Sequence, residues 1–224
     1  MKITVHRALA RIKTTEARLR DILNSSSGYS LIDIYSMKKG TCTFSAKSEE
    51  DTKKIIQGNW DKFNSLYNEL VSLKRAVTIS NSGLSPEDYE KFTDKIEVGK
   101  NKYTVAEIIV LNSVLKYKEA WFGFLKRNYS DVLKQYERYT GEVNRKLDEH
   151  ISMMLGSDAK KTNDAAISDF SEMYLKKNGY TLVDPLNLVQ KINDLEVQLD
   201  NLKTEADAAL SDANALRIIE ADVK

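Results

Sequence analysis

Residues Thr104 to Gly156 read TVAEIIVLNSVLKYKEAWFGFLKRNYSDVLKQYERYTGEVNRKLDEHISMMLG. Apolar or aromatic side chains recur there at Ile108, Leu111, Leu115, Phe122, Leu125, Tyr129, Val132, Tyr136, Tyr139, Val143, Leu147 and Met154, in steps close to alternating threes and fours and with no proline between them. That spacing is one stripe of an amphipathic helix. Thr104-Val105-Ala106-Glu107 is a capping box at its start, in which the threonine oxygen and the Glu107 carboxylate each accept from a first-turn N–H. Gly156 is the expected stop. At about 1.5 Å per residue the helix would run to roughly 75 Å and would need other long helices to cover its stripe.

Working outward, helical patterns fill most of the chain. Thr4 caps a first helix to about Asn24 with Val5, Leu9, Ile12, Leu19 and Ile22 on one face, and Glu16 is expected at the edge of that face, reaching water or a cation. Glu49-Glu50-Asp51 opens a second helix with acids suited to the positive end of its dipole. Ile56, Trp60, Phe63, Tyr67, Leu70 and Val77 form its heptad seam, and Ser80-Asn81-Ser82-Gly83 is its turn. Ser85-Pro86 starts a short helix. Ala166, Ile167, Phe170, Met173 and Tyr174 mark another that Asn178-Gly179 ends. Asp184-Pro185 is expected to cap the last helix, whose seam passes from Leu188, Ile192, Leu195, Leu199 and Leu202 to Ala206, Ala209, Ala213 and Leu216.

Two short stretches have strand character. Tyr29 to Met37 and Thr41 to Phe44 flank Lys38-Lys39-Gly40 and read as a β-hairpin, to be packed on the chain's own helices. Ile96-Glu97-Val98 and Lys102-Tyr103-Thr104 read as a second hairpin feeding into the long helix, and Tyr180-Thr181-Leu182-Val183 as extended chain. The expected fold is therefore mainly α. It is an elongated bundle of long antiparallel helices with heptad seams and one or two small β-hairpins, forming a single domain over residues 1–224. Residues 29–45 are a hairpin insertion in it and residues 157–183 an inserted helical segment.

Composition narrows the function classes. The 224 residues carry 34 Lys+Arg against 33 Asp+Glu, so no global field steers the chain to long nucleic acid or an anionic membrane, although a local basic patch is compatible with that balance. One cysteine, Cys42, excludes an intramolecular disulfide and fits a reducing compartment. Two histidines far apart in sequence, His6 and His150, argue against a zinc site and against Ser-His-Asp or Cys-His catalysis. The start of the chain lacks the apolar run of a signal peptide. No later run suits a membrane span, and the expected location is the cytoplasm.

The sharpest candidate chemistry lies in mid-helix, where Lys116, Lys118, Trp121, Phe122, Phe124, Lys126, Arg127 and Tyr129 interleave cations with aromatic rings. Rings stack on nucleobases and basic groups hold phosphates, so Lys116, Trp121, Lys126 and Arg127 are expected to bind a small nucleotide-like anion. A helix that buries its aromatics and lets its lysines snorkel shows the same pattern. The second candidate is the pair of turns with Ser80, Asn81, Lys102 and Tyr103, which would present N–H donors to an anion at a helix start.

Val77-Thr78-Ile79-Ser80-Asn81, Lys102-Tyr103-Thr104-Val105-Ala106, Leu115-Lys116 and Asn214 match, in order, short motifs of the septicolysin-like family of small helical bacterial and phage proteins, which the chain resembles over about two-thirds of its length. The chain departs from the family in having Ala215 after Asn214, in lacking the Arg-Asp before Leu115-Lys116, and in adding residues 84–95 and 156–183. Lys2-Ile3-Thr4-Val5-His6-Arg7-Ala8-Leu9-Ala10 is similar to the opening of phage-encoded members. The resemblance implies a viral, helical homo-oligomer without known catalysis or cofactor, and carries over no binding residue. The functional expectation is a non-enzymatic phage-type protein that binds or sequesters a small anionic, nucleotide-like ligand, such as a host-defence signal. The alternative is a structural or assembly protein of a virion.

Overall fold

The computed structural model describes residues 3–25, 29–92, 94–98, 101–155 and 164–216. Six helices and five short strands occur among them. In chain order they are α1 (Val5–Asn24), β1 (Asp33–Ser36), β2 (Thr41–Cys42), α2 (Glu49–Asn81), α3 (Pro86–Phe92), β3 (Ile96–Val98), β4 (Asn101–Tyr103), α4 (Val105–Leu155), α5 (Asp164–Asn178), β5 (Tyr180–Val183) and α6 (Leu188–Leu216). The chain is mainly helical with a few small antiparallel strands. No helix among the described residues is long and apolar enough to cross a membrane.

The helix starts follow their side chains. Thr4 accepts the Arg7 N–H at 3.3 Å, and Ser48 and Ser85 accept from Asp51 and Asp88 three residues on. The capping box of α4 forms as read: the Thr104 N–H donates to Glu107 Oε2 at 2.9 Å and the Glu107 N–H to Thr104 Oγ1 at 3.2 Å. Gly156, the expected stop of α4, lies outside the described residues. The start of α6 differs from expectation. Pro185 sits in a turn rather than in the first helical turn, because Asn187 takes a left-handed φ of 51° and the helix begins at Leu188. Asp184 still serves it, accepting the Leu188 N–H.

The chain divides into two compact units. One comprises Met1–Ser25, Asp61–Phe124 and Gln190–Lys224. Its core includes Leu19, Phe63, Leu70, Ile108 and Trp121, each at most 2% exposed. Glu16 behaves as its edge position demands, pairing with Lys74 at 2.9 Å and with Arg20 one turn on. Where α6 turns from leucine to alanine, Ala206 and Ala209 are buried with Val98 and Ile108, and Tyr103 and Leu202 pack beside them. Ala206 is wholly buried. Ala206→Leu should therefore lower stability by about 1–3 kcal/mol through overpacking, and an unchanged urea midpoint would show that the site has slack.

The other unit comprises Ser26–Trp60 and Leu125–Val189. The expected hairpin forms only over β1 and β2, and β5 completes a three-stranded antiparallel sheet in the order β2-β1-β5. β5 pairs with β1 from Asp33↔Val183 to Ser36↔Tyr180. A two-stranded ribbon is marginal in water, and the third strand together with the fully buried Leu31, Ile32 and Ile34 gives this one its support. Asp33 ties the chain after β2 in place: its carboxylate is buried and accepts the N–H groups of Phe44 and Ser45 at 3.0 and 2.9 Å.

Candidate functional site

The aromatic and basic residues in the middle of α4 separate by burial. Trp121 is in the core, stacked on Phe63 with ring centroids 3.9 Å apart and 5.3 Å from Phe124. Phe63 continues the stack to Tyr67, whose phenol burial pushes up to a pKa of about 12, with Tyr103 adding to the shift. Lys118 lays its ammonium 5.1 Å from the Tyr67 ring centre, and burial pulls its pKa down. Lys116, Lys126 and Arg127 are exposed, Lys116 lying over the ring of its neighbour Tyr117. Trp121 and Phe124 thus make core while Lys116, Lys126 and Arg127 face solvent, the arrangement that snorkelling lysines share with a ligand site in sequence.

The second pair of turns also divides. Lys102 pairs across its hairpin with Glu97 at 3.1 Å, Tyr103 packs into the Val98–Ile108 cluster, and Ser80 lines a cavity of about 360 Å³ between α1 and α2. That cavity is walled largely by apolar side chains such as Val5, Ala8, Leu73 and Ala76, and its charged members Arg11 and Glu69 pair with each other. Of the four, Asn81 lines a cavity at the start of α4.

There a cavity of about 390 Å³ is lined by Thr78, Asn81 and Ser82 from the end of α2, Tyr89 and Asp94 from α3 and the chain after it, and Thr104, Val105 and Ala106. Its floor is fixed by a chain of polar contacts. The buried Tyr89 hydroxyl meets Thr104 Oγ1 at 2.7 Å, and Glu107, almost fully buried, accepts Arg75 Nε at 2.5 Å on its second oxygen. Arg75 also donates to Glu90 at 2.9 Å, and Lys95 pairs with the other Glu90 oxygen. Every polar group of the capping box is therefore engaged. Val105 and Ala106, whose helix positions leave their N–H groups without an intrahelical acceptor, also line the cavity. Tyr89 and Asp94 belong to residues 84–95, read in sequence only as a short helix and its exit. A tyrosine one turn into a helix that opens Ser85-Pro86 is the signal that its face is buried.

Compared with protein-family models, curated proteins and solved structures, the chain finds no match in any of the three. The site must therefore be argued from its own residues. No group of three His, Cys, Asp or Glu among the described residues could hold a metal ion.

Glu90 gives the region a pH dependence. The Lys95 hydrogen bond, with Arg75 adding its charge, holds the Glu90 carboxyl below the usual carboxylate range. A depressed folded pKa contributes stability that is present above the unfolded value, near 4.3, and is lost as pH falls through the folded value. Amide exchange in α3 should therefore speed up below about pH 4 more than in the adjacent part of α2, and Glu90→Gln should remove that difference. Equal acceleration in the variant would assign the effect to other carboxylates.

Proposed function

We propose that the chain is a non-catalytic binding protein that takes a small polar ligand, one carrying a carboxylate or similar acceptor, in the cavity at the start of α4. The observation that carries this reading is that Val105 and Ala106, whose helix positions leave their N–H groups without an intrahelical acceptor, line the same cavity as Asn81. The volume lies at the small end of the range for ligand sites. Asp94 on the same wall suits an ammonium, so a zwitterion of amino-acid size matches the lining better than a phosphate. Among the described residues no lysine or arginine lines the cavity to supply the fork that phosphate favours. The nucleotide-like ligand expected from Lys116, Lys126 and Arg127 is accordingly the weaker form of the proposal.

Val105→Pro tests it. Proline suits the first helical position and removes only the N–H in question, so the melting temperature should hold. If glycine or acetate binds in calorimetric titration of the unaltered chain, its affinity should fall at least about tenfold in the variant, the loss of one charge-assisted hydrogen bond. Unaltered affinity would place the ligand elsewhere.

A second reading, a self-associating component of a phage particle or of its assembly, is favoured by apolar side chains left in solvent: Ile109 and Val197 are 58% and 60% exposed, and Met153 is 77% exposed. The heptad positions that first suggested an oligomer support it less, because Leu70, Leu125, Leu188 and Leu199 are already buried within the chain. Light scattering at micromolar concentration separates the readings: a multiple of the chain mass supports assembly, and the mass of one chain removes it.

A further inference from the structure

We propose that the end of the three-stranded sheet that carries two lysine pairs is an adhesion surface for anionic lipid headgroups. Met37-Lys38-Lys39-Gly40 is the turn between β1 and β2, and Lys176-Lys177-Asn178-Gly179 joins α5 to β5. The two segments are remote in sequence and are brought together by the fold. Ser36 pairs with Tyr180, and the Met37 N–H donates to the Gly179 carbonyl at 3.0 Å. The turn is held tight by the Gly40 N–H on the Ser36 carbonyl at 2.9 Å and by a positive φ of 68° at Gly40, which leaves Lys38 and Lys39 at its exposed tip.

Four ammonium groups therefore share one end of this unit. Lys176 alone is tied to an acid, Glu172 one turn back, at 2.6 Å. Among the described residues Lys38, Lys39 and Lys177 make no ion pair, so no described acid offsets their charge.

What favours lipid over nucleic acid is the company these lysines keep. Met37 and Met173 are 39% and 62% exposed. At 100° per residue Met173 lies between Lys176 and Lys177 on the face of α5. Exposed flexible apolar side chains set among lysines suit the boundary between headgroup and acyl chain. Of the nearby tyrosines, Tyr139 and Tyr180 are engaged with each other, their ring centroids 5.1 Å apart. A near-neutral chain can act in this way because the attraction depends on charge within a Debye length of the surface and not on the total.

The test is co-sedimentation of the full chain with phosphatidylcholine vesicles that contain or lack phosphatidylserine. Binding should require phosphatidylserine and weaken as salt rises. Each lysine should contribute about fivefold in affinity, so a chain carrying Lys38→Gln, Lys39→Gln, Lys176→Gln and Lys177→Gln should bind about six hundredfold more weakly, while arginine at the same four positions preserves binding. Met37→Ser with Met173→Ser should weaken vesicle binding further without lowering the melting temperature. The proposal is overturned by absence of binding at low salt, by equal binding to vesicles of phosphatidylcholine alone, or by unchanged binding of the glutamine variant. Tighter capture by single-stranded nucleic acid than by vesicles would also overturn it, assigning the lysines to a phosphate backbone instead.

Discussion

Trp121→Ala should lower stability by about 3–5 kcal/mol, the range for deleting a buried aromatic ring, read as a shift of the urea midpoint at unchanged slope. Trp121 is 2% exposed and its ring lies parallel to Phe63 within 7°. Its removal costs the transfer energy of the indole, the stacking on Phe63 and the cavity left beside Phe124. Trp121→Phe keeps a ring in the stack and should lose markedly less. The result also decides between two readings of one sequence pattern. A tryptophan displayed for nucleobases would be lost with little effect on folding, so a change below about 0.5 kcal/mol, the usual limit for surface sites, would return Trp121 to the ligand-binding candidates.

Asp33→Ala should cost about 3 kcal/mol and should make Cys42 reactive. The Asp33 carboxylate, 1% exposed, accepts the Ile34 and Phe44 N–H groups on one oxygen and the Ser45 N–H on the other. Each buried donor left without a partner costs about 1–3 kcal/mol; the lower end applies at Phe44 and Ser45, where water can reach the loop. The same loop covers Cys42, whose thiol burial pushes up, against an opposing hydrogen bond from Thr52. Buried and protonated, that thiol should be nearly inert to an aromatic disulfide reagent in the unaltered chain and react readily in the variant. A variant that lost the predicted stability but kept an inert thiol would show that the loop is held by Ser45 and Thr52, whose hydroxyls lie 2.7 Å apart, and not by Asp33.

What could be read from the sequence was local. The Thr4 cap, the Thr104–Glu107 box and the strand character of residues 96–98 and 180–183 depend on neighbours a turn or less away, and each formed. The pairing of β5 with β1 was not legible, because alternation marks a strand without naming its partner. Burial was legible only where the stripe was unambiguous. Trp121 among lysines fits a core helix and a binding face equally well, and only the Phe63 ring from α2 resolves it. Glu97 stands opposite Lys102 across the hairpin, a cross-strand pair that follows from the turn spacing. The polar contacts beside the cavity join Arg75, Tyr89, Glu90 and Glu107 from three helices, and no periodicity predicts such a meeting.

We propose that the first two N–H groups of α4 receive a ligand. Nitrogen-15 amide spectra of the chain, titrated in turn with acetate, glycine and adenosine monophosphate, test it residue by residue. Saturable movement of the Val105 and Ala106 amides and of the Asn81 side-chain amide, larger for glycine than for acetate because Asp94 meets its ammonium, is the predicted result. Those signals holding still while amides around Lys116 and Arg127 move with the nucleotide would contradict it.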